Sequence, residues 1–427
     1  MLTLIELLIS CALFVLSAYL LNHKFSTAEN VQRAPNDTLH PVQHPISKLR
    51  QDSGCFELST LSEVSRDTEI PDGWYTDSKL FGLERRAIFS KTWLCVTHKT
   101  RFRKPGDYLS FNVAGFPFFL ILGKDSILRG FHNVCRHRAY TVTKNPAGSS
   151  LVLGCGYHGW SYDTKGKLTK APQFDELPGF KKEDNSLFQI WVRSDAQGLV
   201  FVNFDARWDI DNGPNVDGVA RFAEQHSITR TSTPVASWQA EGKFNWKIAA
   251  QQACEPTLLP RTRSVSSVLS LILDRSINRL AVRDAVMDLS PFTTIRRVAN
   301  TSFWTMTVVE PISATETTIR CDLYSTVADA KPQYVIDPKK FEHHLMTCVQ
   351  AWECEFASIV SDGQAPSSIK IWAAQHDILR QLESHTKMER KSGGEIFPAV
   401  LTDNKTSLSC GVAERRKCKA SRNHAEY

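Results

Sequence analysis

Two short signatures constrain this chain more than anything else in it: Cys135-Arg136-His137 and Cys155-Gly156-Tyr157-His158, with 17 residues between His137 and Cys155. A cysteine and a histidine on each of two turns can share one metal centre only if the turns meet. The signatures therefore fix two loops of the fold against each other. Two thiolates on one iron and two neutral imidazoles on the other make the ligand set of a two-iron, two-sulfide cluster, which implies redox chemistry. A structural zinc also accepts Cys2His2, so the signatures alone leave both metals open. Thiolate ligands need tight turns and hydrogen-bond donors that offset the charge on sulfur. Gly154, Gly156 and Gly159 in the second loop, and Pro146-Ala147-Gly148 between the loops, have the composition for such turns.

The stretch around the signatures reads as a small all-β domain. Short apolar runs, Phe116 to Leu122, Gly130 to Val134, Leu151 to Leu153 and Leu199 to Val202, alternate with turns such as Gly123-Lys124-Asp125 and Thr164-Lys165-Gly166. Ahead of it, Leu80, Leu83, Ala87 and Ile88 recur at helical spacing before Trp93-Leu94-Cys95-Val96 turns to strand pattern. The second half mixes types. Phe303 to Val309 and Thr317 to Tyr324 read as two antiparallel strands. Phe341, Leu345, Val349, Trp352, Phe356 and Ile359 step by threes and fours along one long amphipathic helix. A further helix carries Ile378, Leu382 and Met388 and stops at Gly393-Gly394.

The expected organisation is α+β: a membrane anchor over 1–22, a linker over 23–70, the all-β domain over 71–205, a second domain over 225–400, and a disordered basic tail over 401–427. Leu2 to Leu21 is 20 residues with one charge, Glu6, long enough to cross a ~30 Å hydrocarbon layer as a helix. A cleaved signal peptide is the alternative, but no basic stretch precedes the run and no A-x-A site follows it. Lys24 and Arg33 follow the run, which places the bulk of the chain on the cytosolic side. That side also suits an odd count of 11 cysteines at irregular spacing, where free thiols and metal ligands are expected rather than a disulfide framework. A formal charge of +6 on 427 residues, much of it in the last segment, excludes a nucleic-acid-binding chain as the natural reading.

The stretch Phe131-His132-Asn133-Val134-Cys135-Arg136-His137-Arg138-Ala139 is followed by Cys155-Gly156-Tyr157-His158-Gly159-Trp160-Ser161-Tyr162-Asp163, then Gly166-Lys167-Leu168 and Ala171-Pro172. It resembles the Rieske [2Fe–2S] domain of aromatic-ring-hydroxylating oxygenase α subunits, and among them the choline monooxygenase-like branch. The resemblance runs from about Trp74 to Asp205 and returns at Phe244-Asn245-Trp246-Lys247, where that family opens its catalytic domain, a helix-grip antiparallel sheet covered by helices. It settles the metal question in favour of the cluster. It implies Cys135 and Cys155 on one iron, His137 and His158 on the other, and a mononuclear Fe(II) held by two histidines and a carboxylate with positions open for O2 and substrate. It further implies a reductase or ferredoxin as electron donor, a homotrimer, and a small amine substrate, with choline oxidised to betaine aldehyde. Trp246, Phe303 and Trp304 are candidates for an aromatic cage around a quaternary ammonium, though aromatics at such spacings are more often core.

The family's pattern then breaks. After Asn-Trp-Lys it runs through an acidic-Asn pair, a Glu or Asp, a histidine three residues on and a second histidine five later. Here those positions hold Gln251-Gln252, Glu255, Leu258 and Arg263. Glu255 matches the acidic residue that relays the electron. Leucine has no lone pair and arginine is a permanent cation, so neither can ligate iron, and no histidine lies between His226 and His343. Glu353, Glu355 and Asp362 are the candidates for a carboxylate ligand, with a solvated helix face or loop as their plainer reading. The atypical stretch, 256–288, is bounded, and Phe303-Trp304 and Ile319-Arg320-Cys321-Asp322 resume the resemblance. A bounded loss points to a splice or frame error in the coding sequence; loss of the oxygenase site is the alternative. The expectation is therefore a Rieske-type monooxygenase, or else a catalytically inactive Rieske protein that carries an electron or binds a partner.

Overall fold

Apolar residues and turns in the first half fold as their pattern dictates. The computed structural model describes residues 71–205, 213–214, 216–251, 285–289, 292–298, 301–326, 338–362 and 373–397. The expected anchor, linker and basic tail, Glu255, Leu258, Arg263 and most of 256–288 lie outside the described residues. Among the described residues no helix is long and apolar enough to cross a membrane.

Helix α1 (Ser78–Glu84) starts where Asp77 accepts the backbone N–H groups of Lys79 and Leu80 at 2.6 and 3.2 Å, the cap that satisfies donors a first turn leaves open. It runs on as a π-helical turn over Arg85–Phe89. Strands β1 (Leu94–His98), β2 (Asp107–Val113), β3 (Phe116–Leu122), β4 (Leu128–His132), β5 (Ala147–Ser149), β9 (Gln189–Ser194) and β10 (Leu199–Asn203) form one antiparallel sheet in the order β1-β10-β9-β4-β3-β2-β5. Strand β3, a continuous apolar run, lies inside this sheet, with Phe118 to Ile121 fully buried. Ala114 and Gly115 turn the β2–β3 hairpin with φ of 51° and 73°, the pair of positive angles a two-residue turn demands. A small sheet of β6 (Val152–Gly154), β7 (Ser161–Asp163) and β8 (Leu168–Lys170) stands beside it.

Helix α2 (Asp217–Gln225) leads to a second antiparallel sheet. Its strands are β11 (Thr233–Gly242), β12 (Ala285–Leu289), β13 (Thr293–Arg297), β14 (Phe303–Pro311) and β15 (Thr317–Ser325), in the order β11-β15-β14-β13-β12. Helix α3 (Trp246–Gln251) follows β11, and the last four residues of the atypical stretch are the start of strand β12, paired in register with β13. Helix α4 (Pro338–Asp362) buries Phe341, Leu345, Val349, Trp352 and Ile359, the face its spacing predicts, and Phe341 stacks on Trp238 of β11 at 3.9 Å. Helix α5 (Ala373–Ser392) ends at Gly393, whose φ is 71°. The α+β arrangement, an all-β domain and an antiparallel sheet carrying helices, is the expected one.

Hydrogen bonds stitch the two sheets together. Arg101 reaches Asp322 at 3.0 Å, Arg320 bonds both Asp322 and Glu310 (3.0 Å) and donates to the Val96 carbonyl at 2.6 Å. Thr293 donates to the Cys95 carbonyl at 2.7 Å, and the Ala114 N–H to the Pro311 carbonyl at 2.9 Å. Asp322 is fully buried, so each of its partners matters. A second node joins α3 to α1: Lys247 pairs with Glu84, Trp246 donates its indole N–H to the same carboxylate at 2.8 Å, and the Trp74 ring covers the ammonium at 4.4 Å. One cysteine departs from expectation: Cys348 on α4 is disulfide-bonded, while Cys95, Cys135, Cys155, Cys321 and Cys354 are free.

Candidate metal centre

The two signatures occupy the loop after β4 and the turn between β6 and β7, and the backbone treats them alike. In the first, the Cys135 N–H donates to the Tyr140 carbonyl at 2.7 Å and the Cys135 carbonyl accepts the Ala139 N–H at 3.0 Å. In the second, the Cys155 N–H donates to the Trp160 carbonyl at 2.8 Å and the Cys155 carbonyl accepts the Gly159 N–H at 3.0 Å. The fourth residue after each cysteine has positive φ, 55° at Ala139 and 72° at Gly159. One wrap of chain is thus used twice. Its aromatic closing residue, Tyr140 or Trp160, is what a motif search for Cys and His passes over.

The base of the first loop is pinned by Asn133. Its amide oxygen accepts the N–H groups of Val142 and Thr143 at 3.0 and 2.9 Å, and its nitrogen donates to the Thr143 carbonyl at 3.0 Å. Tyr162 comes up from β7, with its oxygen 3.1 Å from the Arg136 N–H and 3.2 Å from the Cys135 sulfur. A phenol has one proton to give. Against a metal-bound thiolate, which has no proton to give, the phenol O–H is the donor. Arg136 itself lies over the Phe188 ring at 3.6 Å.

The structure brings all four signature side chains to one end of this domain. Cys135 and Cys155 are buried. The rings of His137 and His158 are 4.5 Å apart at 74°, and both are half-buried. Trp160 stacks on His137 at 4.9 Å and 11°, and Tyr157 lies 3.9 Å from His158. Among the described residues no group of three or more His, Cys, Asp or Glu side chains gathers as a site for a single ion. The donors here divide into a sulfur pair and an imidazole pair, which is the division a two-iron cluster uses.

Electrostatics fit the same group. Burial pushes the Cys155 thiol up, and the neighbouring Cys135 adds to the rise. Burial, with Cys135 next to it, also raises Tyr162, which keeps that phenol a donor. Burial lowers His137, helped by His158 and Arg138, so its imidazole is neutral with a lone pair available. A buried thiol raised in this way, as that of Cys155 is, becomes a thiolate only against a cation, and binding the metal expels its proton.

The remaining candidates are placed otherwise. Glu353 accepts the Lys243 backbone N–H at 2.8 Å, Glu355 is on the same helix, and Asp362 is its last residue. Trp246 and Trp304 are fully buried, Trp304 stacked on Tyr324 at 4.3 Å, and Phe303 sits in a separate cluster with Val298 and Leu323. They are core. His98 is buried between the Gln197 carbonyl and Thr100, at 2.9 and 2.8 Å, and takes no part in the centre.

These loops define a Rieske [2Fe–2S] domain, and the model of that family matches residues 92–181. The chain is a homologue of the Rieske oxygenase α subunits. It is 33% identical over 223 residues to the chlorobenzene dioxygenase subunit alpha of Cupriavidus sp. (strain PS12), covering 50% of this chain and 48% of that one. It is 32% identical over 186 residues to the carnitine monooxygenase oxygenase subunit of Acinetobacter pittii (strain PHEA-2), covering 44% and 50%. The chain thus matches about half the length of these relatives. Among solved structures, the quaternary ammonium Rieske monooxygenase CntA in complex with gamma-butyrobetaine shares the fold, with a TM-score of 0.57 and 22% identity over 74% of this chain and 94% of that chain.

Proposed function

We propose that this chain is a Rieske-type iron–sulfur oxidoreductase of the oxygenase class, with Cys135, Cys155, His137 and His158 holding a [2Fe–2S] cluster, and that it oxidises a small quaternary amine. The observation that carries this reading is the doubled loop, which sets a buried sulfur pair and an imidazole pair together. A cluster so held accepts one electron at a time. Cys135 and Cys155 hold charge, Tyr162 donates to sulfur, and the neutral His137 binds through its lone pair. The electron would come from a reductase or ferredoxin. Choline is the substrate the sequence resemblance favours. A relative that acts on carnitine, another quaternary ammonium compound, supports that chemical class. Oxygen uptake by purified protein with reductase, offered choline and then carnitine, tests it; no uptake with either sinks the substrate assignment.

A second reading has its own observation. Leu258 and Arg263 stand where the family places the two iron-binding histidines, and neither side chain can ligate a metal. The chain as written would then carry an electron, with Glu255 as an acidic relay, and leave O2 untouched. Iron content separates the two readings: two irons per chain for a carrier, three for an oxygenase. We further propose that 1–22 anchors the chain in a membrane with its bulk in the cytosol and that copies associate as trimers. Fractionation of tagged protein tests the first, and light scattering the second.

A further inference from the structure

We infer that Trp160 is a positioning residue of the cluster: its ring fixes the plane of His137, and its indole N–H donates a hydrogen bond to the cluster itself. This rests on the cluster reading above. Trp160 is 2% exposed, and its ring lies against the imidazole of His137 at 4.9 Å and 11° from parallel. Phe174 and Phe180 hold it from the other sides, at 5.3 and 5.7 Å and close to perpendicular. Phe174 also meets His137 at 5.1 Å. An imidazole gripped in this way keeps one orientation, and orientation decides how well its lone pair meets a metal.

The indole nitrogen is the second observation. Trp160 Nε1 is buried and has no hydrogen-bond partner. Buried Trp N–H groups nearly always find an acceptor, and the aromatic rings packed around this one offer none. The acceptor-rich group that belongs beside His137 is the cluster, whose sulfurs take hydrogen bonds in proteins of this kind. Trp160 also closes the second loop through its carbonyl, which accepts the Cys155 N–H at 2.8 Å, so backbone and side chain of one residue serve the same centre.

The test uses the whole chain with its cluster loaded and tryptophan labelled with nitrogen-15 at the indole. Pulsed EPR of the reduced cluster should show a nitrogen-15 coupling, and Trp160→Phe, which keeps a ring against His137 but has no N–H, should abolish it. In the same variant the midpoint potential should move to more negative values, because a donor to the cluster favours its reduced, more negative state. Retention of the visible spectrum reports that the cluster is still bound. Absence of the coupling in the labelled wild-type protein overturns the assignment whatever the variant does, as does an unchanged potential in a loaded Trp160→Phe protein. Protein that takes up no iron and shows no cluster spectrum overturns the cluster reading first, and that outcome is distinct from a loaded cluster lacking the coupling.

Discussion

Tyr162 shows what a single hydroxyl can be asked to do. It lies 3.2 Å from the Cys135 sulfur and accepts the Arg136 N–H at 3.1 Å. Removing it in Tyr162→Phe deletes a donor to a thiolate, worth about 1.5–3 kcal/mol for a bond to a charged group in the general case. The reduced cluster should lose more stabilisation than the oxidised one, so the midpoint potential should fall with the visible spectrum retained; voltammetry of the loaded protein checks the sign. His98 gives a pH prediction. Burial lowers its pKa to about 4 from 6.5. Between those values the unfolded chain takes up a proton that the folded chain refuses, so stability is full above pH 6.5 and drains away as pH falls toward 4. The loss attributable to this group is at most about 3 kcal/mol. Urea midpoints at pH 7.5 and 5 should differ, and the difference should shrink in His98→Gln.

Loops and strands carry the next set of expectations. Gly166 turns β7 into β8 with φ of 77°, and a methyl group there would sit 2.4 Å from the Phe131 ring. Gly166→Ala should therefore cost at least about 2 kcal/mol through left-handed backbone strain and overpacking together. Ala139, by contrast, already has positive φ at an exposed position, so Ala139→Gly should be neutral or stabilising by up to about 1 kcal/mol. Thermal unfolding should shift to lower temperature in Gly166→Ala and not in Ala139→Gly. Much of this level was readable in the chain: the run Phe116 to Leu122 is β3 residue for residue, and the stepping of Phe341 to Ile359 lies within α4. Short elements were harder. The run read as Leu151 to Leu153 is Val152–Gly154 in the structure, because hydrogen bonding across β6 and β7, not hydrophobicity, sets a three-residue strand. Cysteines and histidines of the centre announced themselves by type. Trp160, Asn133 and Tyr162 did not, since each acts through a partner that only the folded loops bring within reach.

Across the whole molecule, the seam between the two sheets is the feature most exposed to mutation. Asp322 is fully buried and serves Arg101, Arg320 and Ser237. Asp322→Ala would take the carboxylate from Arg101 and leave Arg320 with Glu310 and the Val96 carbonyl, a loss of up to about 3–5 kcal/mol for a broken buried pair. Unfolding of that variant, followed by the cluster's visible bands and by far-ultraviolet circular dichroism, should split into two transitions where the parent shows one. The sheets share the fold of a solved Rieske monooxygenase, while Leu258 and Arg263, at the positions the family gives to its mononuclear iron, are residues that cannot hold it. The fastened ends of the atypical stretch suggest how both can be true. Helix α3 is tied to α1 through Lys247 and Glu84, and β12 is held in register by β13. Residues 252–284 join these two moorings in the chain, and each mooring is made by residues outside that passage. A restored passage of the family's own pattern would need only to leave one mooring and arrive at the other.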